Sequence, residues 1–394
     1  MTLKPLTIQG NLVKLEWSKL DNSSLVSYAI VRILDTVNLG NYGSVKYINI
    51  DKTVTSYTDT LVLNPYVQYY VIAYVTSTNY QSANVQSNKE TYMRTDIDFA
   101  AMAATDALYD RNNKQLYVYS SAGMISVYDL ASAKFVRTLN SNATIGACDL
   151  AMYNGKLELY VPRNDGWVFI YDAATLTQIN QVNVGTAAYY VANNNGKLFV
   201  TSTASYSYTY NVTVYDRATL TPVTQASYYY NSPRMALVPG TNTELYAVHE
   251  SGYLMHLRYD AQGKFISGYR NISTASSGVS TPLAVYADAS HVLLGNGQII
   301  DSTMTTVVSL PRGTLNYFGF AIDDAGGIIY AATTAPSIQA YNMSNYQAGK
   351  KYATVGNPVK VFYDNGKLIT VSVNGDAGSQ VNYPTGNFTF VEQL

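Results

Sequence analysis

From about residue 100 to the end, apolar residues fall into short runs of two kinds. Some are continuous, as at 157–161 ("LELYV"), and some alternate with polar residues, as at 179–184 ("INQVNV"). Both patterns belong to β-strands, and no stretch holds a 3.6-residue period over helical length. One stretch reads in full as four strands: 146–153, 157–161, 167–171 and 179–184. Asn154-Gly155 joins the first two, a dipeptide whose residues accept the positive φ angles of a tight hairpin. The same Asn-Gly-Lys turn returns at Asn195-Gly196-Lys197 and Asn365-Gly366-Lys367.

The four-strand pattern repeats. Val127-Tyr128-Asp129, Ile170-Tyr171-Asp172, Val214-Tyr215-Asp216 and Arg258-Tyr259-Asp260 place their aspartates 43, 44 and 44 residues apart. Weaker copies follow at Ile300-Asp301, Tyr341-Asn342 and Val381-Asn382, each 41 or 40 residues on. A period of about 40–45 residues marks a four-stranded propeller blade. Seven copies therefore predict seven blades. The recurring Asp ends a third strand and precedes Ser132, Thr175 or Thr219 by three residues. That spacing suits a carboxylate that accepts backbone N–H groups in the turn, a structural role.

Residues 1–95 break the period. Their alternating triplets are Val13, Leu15 and Trp17, then Tyr28, Ile30 and Arg32, then Tyr69, Val71 and Ala73. About ninety residues with seven strand candidates fit a small β-sandwich. The segment around Leu63, Pro65 and Tyr69 resembles the second half of a fibronectin type III domain, with Trp17 at that family's core tryptophan. The resemblance implies that the Tyr69 hydroxyl ties down an inter-strand loop. Residues 155–185, with their Asp-x-x-Thr turn and closing Val-Gly, resemble the YVTN-type propeller family, as do residues 354–373. The expected fold is all-β: a fibronectin type III-like sandwich over 1–95, then a seven-bladed YVTN-like propeller over 96–394, joined near 94–98. That layout resembles exported surface lipoproteins of the Bacteroidetes.

Composition narrows the function classes. Charged residues are only 13% of the chain, about half the share of roughly 25% in soluble domains, and polarity rests on Asn, Ser, Thr and 38 tyrosines. Such a surface suits work outside the cell. A net charge of −1, without a Lys/Arg run, excludes the electrostatic footprint of a nucleic-acid binder. Cys148 is the sole cysteine, so no disulfide forms within the chain, and its neighbours make it a small buried strand residue. No run approaches the ~20 apolar residues of a membrane span. The start carries no signal-peptide core. Composition favours an extracellular or cell-surface location, with a leader absent from this sequence. Six Asn-x-Ser/Thr tripeptides, at Asn22, Asn142, Asn211, Asn271, Asn342 and Asn387, are what so Asn- and Thr-rich a chain holds by chance.

Catalytic motifs are missing. His249, His256 and His291 lack metal-ligand spacing, and the acidic loops 163–166, 323–327 and 374–378 are too poor in carboxylates for a calcium cage. There is no nucleophile elbow and no phosphate loop. Two tryptophans are too few for a quinoprotein's docking motifs. Neither cofactor nor metal is expected. The remaining signal lies in loops that a propeller places around one end of its channel. Trp167, Tyr206, Tyr208, Tyr210, Tyr229, Tyr230 and Tyr317 would gather there with Arg163, Arg234 and Arg312, beside the loop pair His249-Glu250. Aromatic faces with Arg donors suit a sugar ring or a protein's polar rim. The leading expectation is a non-catalytic binding or scaffold protein taking a glycan or protein partner, within an outer-membrane complex. The alternatives are a polysaccharide lyase or hydrolase with its site at the channel mouth, or a structural part of a surface or virion assembly.

Overall fold

A computed structural model describes the chain except residues 10–11, 35–44, 60–65, 77–83, 94–96, 204–208, 230–233, 249–253, 272–281, 312, 314–316 and 375–387. It is all-β among the described residues. The chain divides into two compact units, Met1–Ile97 and Asp98–Leu394, two residues beyond the boundary expected from sequence.

The first unit holds β1 (Thr7–Gln9), β2 (Leu12–Glu16), β3 (Leu25–Leu34), β4 (Val45–Asp51), β5 (Ser56–Asp59), β6 (Tyr66–Val75), β7 (Val85–Gln86) and β8 (Glu90–Met93). They form two sheets, β1-β2-β5 and β4-β3-β6, with β7 and β8 both pairing β6. The alternating triplets put one face of each strand inside. Val13, Leu15, Trp17, Tyr28, Ile30, Tyr69, Val71 and Ala73 all join one buried cluster. Trp17 meets Tyr28 edge to face at 5.7 Å between ring centres. Arg32 shares the buried alternation because it is paired. Its Nη1 donates to both Asp59 oxygens at 3.0 and 2.9 Å, and the Tyr69 hydroxyl donates to Asp59 Oδ2 at 2.8 Å. The tyrosine thus ties down the end of β5.

Among the described residues of the second unit, six antiparallel four-stranded sheets follow one another, each a simple meander. Their first strands are Asp106–Asp110, Asp149–Tyr153, Ala188–Asn194, Arg234–Leu237, Leu283–Val285 and Tyr317–Asp323 (sheets I to VI). Sheet VII contains Asn357–Asp364, Lys367–Val373 and Thr389–Gln393. Each first strand touches the next, and that of sheet VII returns to sheet I. The buried side chains divide in the same way. One cluster sits between each consecutive pair of sheets, and another, with Leu116, Val118, Val359 and Val371, joins the last sheet to the first.

This packing explains the two hydrophobic patterns. A second strand such as Lys156–Pro162 lies against a sheet on either side, so its apolar run is continuous. An outer strand such as Lys134–Asn140 has one wet face and alternates. The recurring tyrosines, Tyr128, Tyr171, Tyr215 and Tyr259, are buried between sheets, each at a register shift between third and fourth strands. The aspartate after each turns the chain. Asp172 Oδ1 accepts the Thr175 N–H at 3.0 Å, and Asp129 and Asp216 accept from Ser132 and Thr219 likewise. Val381-Asn382, expected to supply the last copy, lies outside the described residues.

The circle closes through the first residues of this unit. Ala100 and Thr389 exchange backbone hydrogen bonds of 2.9 Å in both directions. The Thr389 hydroxyl donates to the Met102 carbonyl at 2.7 Å and accepts the Ala104 N–H at 2.9 Å. Phe99 packs on Phe390 with ring centres 5.5 Å apart.

Candidate functional site

The first strands of the seven sheets face inward on one another, and polar residues interrupt their apolar pattern there. Asp106, Cys148, Asp149, Tyr190, Arg234, Phe318 and Lys360 line a cavity of about 220 Å³. A contiguous mouth adds Thr105, Ser121 and Ile145. At this end sheets II and III approach so closely that Ala147 and Tyr190 form a parallel bridge, with the Ala147 N–H donating to the Tyr189 carbonyl at 2.7 Å. Gly146 makes the approach possible, since a Cβ there would lie 1.7 Å from that carbonyl oxygen.

The charges in the cavity are arranged in contacts. Lys360 Nζ lies 2.9 Å from Asp106 Oδ1. Arg234 Nε donates to the Tyr190 hydroxyl at 2.9 Å, and the guanidinium rides 5.6 Å over the Tyr190 ring. Asp149 accepts the Asn193 N–H at 2.6 Å. Protein surrounds its carboxyl except toward the channel, and this burial pushes its pKa up to about 7 against the pull of the Asn193 and Leu150 amides. The Cys148 thiol is buried, and that burial pushes its pKa well up, so it is no ready nucleophile.

Behind Asp149 runs a buried polar network. The Asn193 side-chain amide donates to the Tyr160 hydroxyl at 2.6 Å, and that hydroxyl donates to Glu158. Glu158 is clamped by Arg217, whose Nε and Nη2 reach its two oxygens at 2.8 Å each. Arg217 also lies 4.7 Å over the Tyr153 ring. The channel acid therefore leans on a braced joint between sheets II and III.

Of the residues expected at the mouth, Arg234 lines the cavity. Arg163 does not. Its guanidinium is held by Asp165 and the Ser141 carbonyl and stacks 4.2 Å over Phe169. Trp167 opens the third strand of sheet II, half-buried, and its carbonyl accepts the Arg163 N–H at 2.8 Å. Tyr317 requires a correction. It begins the first strand of sheet VI rather than a loop, and its ring is fully buried, with its hydroxyl 2.6 Å from that of Tyr341. Tyr210 and Tyr229 belong to paired strands of sheet III, but their side chains lie outside the description. Tyr206, Tyr208, Tyr230, His249, Glu250 and Arg312 lie outside the described residues.

Asp106, Asp149, Tyr190 and Lys360 belong to first strands rather than to loops, so no loop motif marks them in the sequence. Spacing alone does not single them out: Asp106 and Asp149 stand 43 residues apart, but the first hairpin of sheet I is two residues shorter, so Asp106 pairs Tyr119 whereas Leu108 stands at the position of Asp149. Among the described residues, no three His, Cys, Asp or Glu side chains converge as a metal site would need. His256 is stacked on Tyr246 and lies 2.7 Å from Glu244. No helix among the described residues is long and apolar enough to cross a membrane.

No family model and no curated protein matches this chain. Among solved structures it is similar to the β-propeller domain of Cps50 (Swd1) from Myceliophteria thermophila, at 12% identity and a TM-score of 0.54. The match covers 74% of this chain and 96% of that one. Likeness at this identity shows the fold, a β-propeller.

Proposed function

We propose that this is a non-catalytic binding protein, with a glycan or a partner protein's polar segment held at the propeller's channel mouth. The observation that carries the reading is the cavity of about 220 Å³, where Arg234, Tyr190, Asp149 and the Asp106–Lys360 pair offer hydrogen-bonding groups of both signs. Concave sites with a few convergent polar groups are where folds of this kind place ligands. A propeller also commonly serves as a scaffold for protein partners.

The finer architecture belongs to the same proposal. The order β1-β2-β5 against β4-β3-β6, with Trp17 and Tyr69 in the core, supports a fibronectin type III-like first unit. The cyclic succession of first strands supports seven blades, and the Asp-x-x-Thr turns support the YVTN type. The sparse charge of the surface supports a cell-surface or extracellular setting, as an exported lipoprotein of an outer-membrane complex.

The test is a glycan array and a partner pull-down on the full chain, followed by calorimetry on Arg234→Ala and Tyr190→Phe. Binding weakened at least tenfold by Arg234→Ala, at an unchanged melting temperature, is expected. Binding indifferent to both substitutions overturns the site.

One observation favours a second reading, an acid–base enzyme acting on polysaccharide. A carboxyl titrating near pH 7 in a cleft is poised for proton transfer. Turnover of a polysaccharide that vanishes in Asp149→Asn would replace the first reading with this one.

A further inference from the structure

We propose that the seam between sheets IV and V holds a second binding site, independent of the channel, that takes a sugar acid. The repeat itself exposes the site. In sheets I, II, III and VI a buried apolar residue of the third strand pairs a buried aromatic of the second. The pairs are Val127 with Tyr117, Ile170 with Tyr160, Val214 with Phe199 and Ala340 with Tyr330. Sheet IV pairs Arg258 with Glu244 at that position. Two residues earlier on the third strand, Ile125, Val168, Val212 and Ile338 are fully buried, whereas sheet IV has His256. A repeat that abandons its apolar filling at this seam marks function rather than architecture.

The consequence is a cavity of about 360 Å³. His256, Arg258 and Ser267 line it from sheet IV, and Ser302 and Met304 from the turn after the third strand of sheet V. A polar joint that serves packing has another geometry. Between sheets II and III, Arg217 clamps Glu158 through two bonds of 2.8 Å, and both residues are buried. Arg258 Nε instead stays 3.7 Å from Glu244, and its side chain is 56% exposed.

Charge and hydrogen-bonding capacity select the ligand. Glu244 is engaged by His256, whose Nε2 lies 2.7 Å from its Oε2. Asp301, which opens the sheet V turn, accepts the Thr303 and Thr305 N–H groups. Arg258 is therefore the charge presented to the cavity, and it calls for an anionic partner. His256 is only 7% exposed. Its Nε2–H is committed to a carboxylate, so Nδ1 of the neutral ring is left to accept a ligand hydroxyl. The Ser267 and Ser302 hydroxyls bond no protein group among the described residues. Volume completes the choice. Small-molecule sites run from about 300 to 1,000 Å³. A lone phosphate would leave most of this cavity to water, at about 30 Å³ per molecule. A pyranose bearing a carboxylate fills it, with the carboxylate on Arg258, ring hydroxyls on His256 and the serines, and a C–H face on the buried Met304.

The experiment is calorimetry of the full chain with glucuronate and galacturonate, beside glucose, inorganic phosphate and tetraglutamate. At least one uronate is expected to bind tenfold or more tightly than glucose. Arg258→Gln should remove that preference by bringing the uronate down to the level of glucose. His256→Gln should weaken the uronate about tenfold. Should His256→Gln loosen the seam, the exposed Arg258→Gln decides alone. The proposal is overturned if neither uronate binds, if glucose binds as tightly, or if the preference survives Arg258→Gln. Phosphate or tetraglutamate binding as tightly as the uronate would overturn it too, by showing a general anion site or one for an acidic peptide.

Discussion

Asp149 holds its proton up to about pH 7 in the folded protein because burial penalises the carboxylate. Unfolded, it releases the proton near pH 3.9. Between those values the folded state binds more protons than the unfolded state, so stability falls as pH rises. Its contribution is full below about pH 4 and is lost as pH climbs through 7. Asp149→Asn keeps an acceptor for the Asn193 N–H and removes the titration. We expect its melting temperature to match the wild type near pH 4 and to exceed it by about 3 °C or more at pH 8. Parallel pH profiles would contradict this account. Behind it, Arg217 and Glu158 are nearly buried, with 6% and 3% exposure. Arg217→Leu should therefore cost about 3–5 kcal/mol, since it strands a buried carboxylate, as denaturant melts would reveal.

The turn from third to fourth strand is the element that the sequence repeats most faithfully, and its geometry explains the residues. After the aspartate the chain makes one short turn, and the Leu176 N–H donates to the Asp172 carbonyl at 2.8 Å. The last turn residue then takes a left-handed conformation, with φ of 53° at Ala133, 57° at Leu176 and 59° at Leu220. Asp172→Ala removes the acceptor of the Thr175 N–H and should lower stability by about 0.5–2 kcal/mol without touching the channel. Ala133 is exposed, so it bears the left-handed cost with little packing in return. Ala133→Gly should raise stability by about 0.5–1 kcal/mol in a urea titration. A loss of stability would mean that the turn tolerates alanine at no cost.

For the whole propeller, closure is the vulnerable step, because the last sheet depends on residues that begin the unit. Thr389 is fully buried and holds Met102 and Ala104 through one hydroxyl. Thr389→Val keeps the shape and leaves the Ala104 amide without its partner, a cost of about 1–3 kcal/mol. Chains beginning at residue 98 should fold cooperatively by circular dichroism, whereas chains beginning at residue 105 should melt at lower temperature or aggregate. Equal stability of the two would remove the closing role of residues 98–104.

Much of this could be read from one dimension because each repeat carries its own local instructions. Continuous runs followed strands packed on both sides, alternation followed strands with one wet face, and the Tyr-Asp pair marked both the register shift and the turn. The front triplets named core residues, even the buried Arg32, whose partner Asp59 no local rule could supply. The site was less legible. Loop aromatics and arginines drew attention to the rim, yet Tyr317 is core and Arg163 is spent on Asp165 and Phe169. Arg234 meets Tyr190, and Lys360 meets Asp106, only because the first strands of sheets far apart in sequence converge on one channel. Periodicity is local and survives in the sequence. Which polar residues of seven strands face one another, and which acid is buried enough to keep its proton, is settled only when the circle closes.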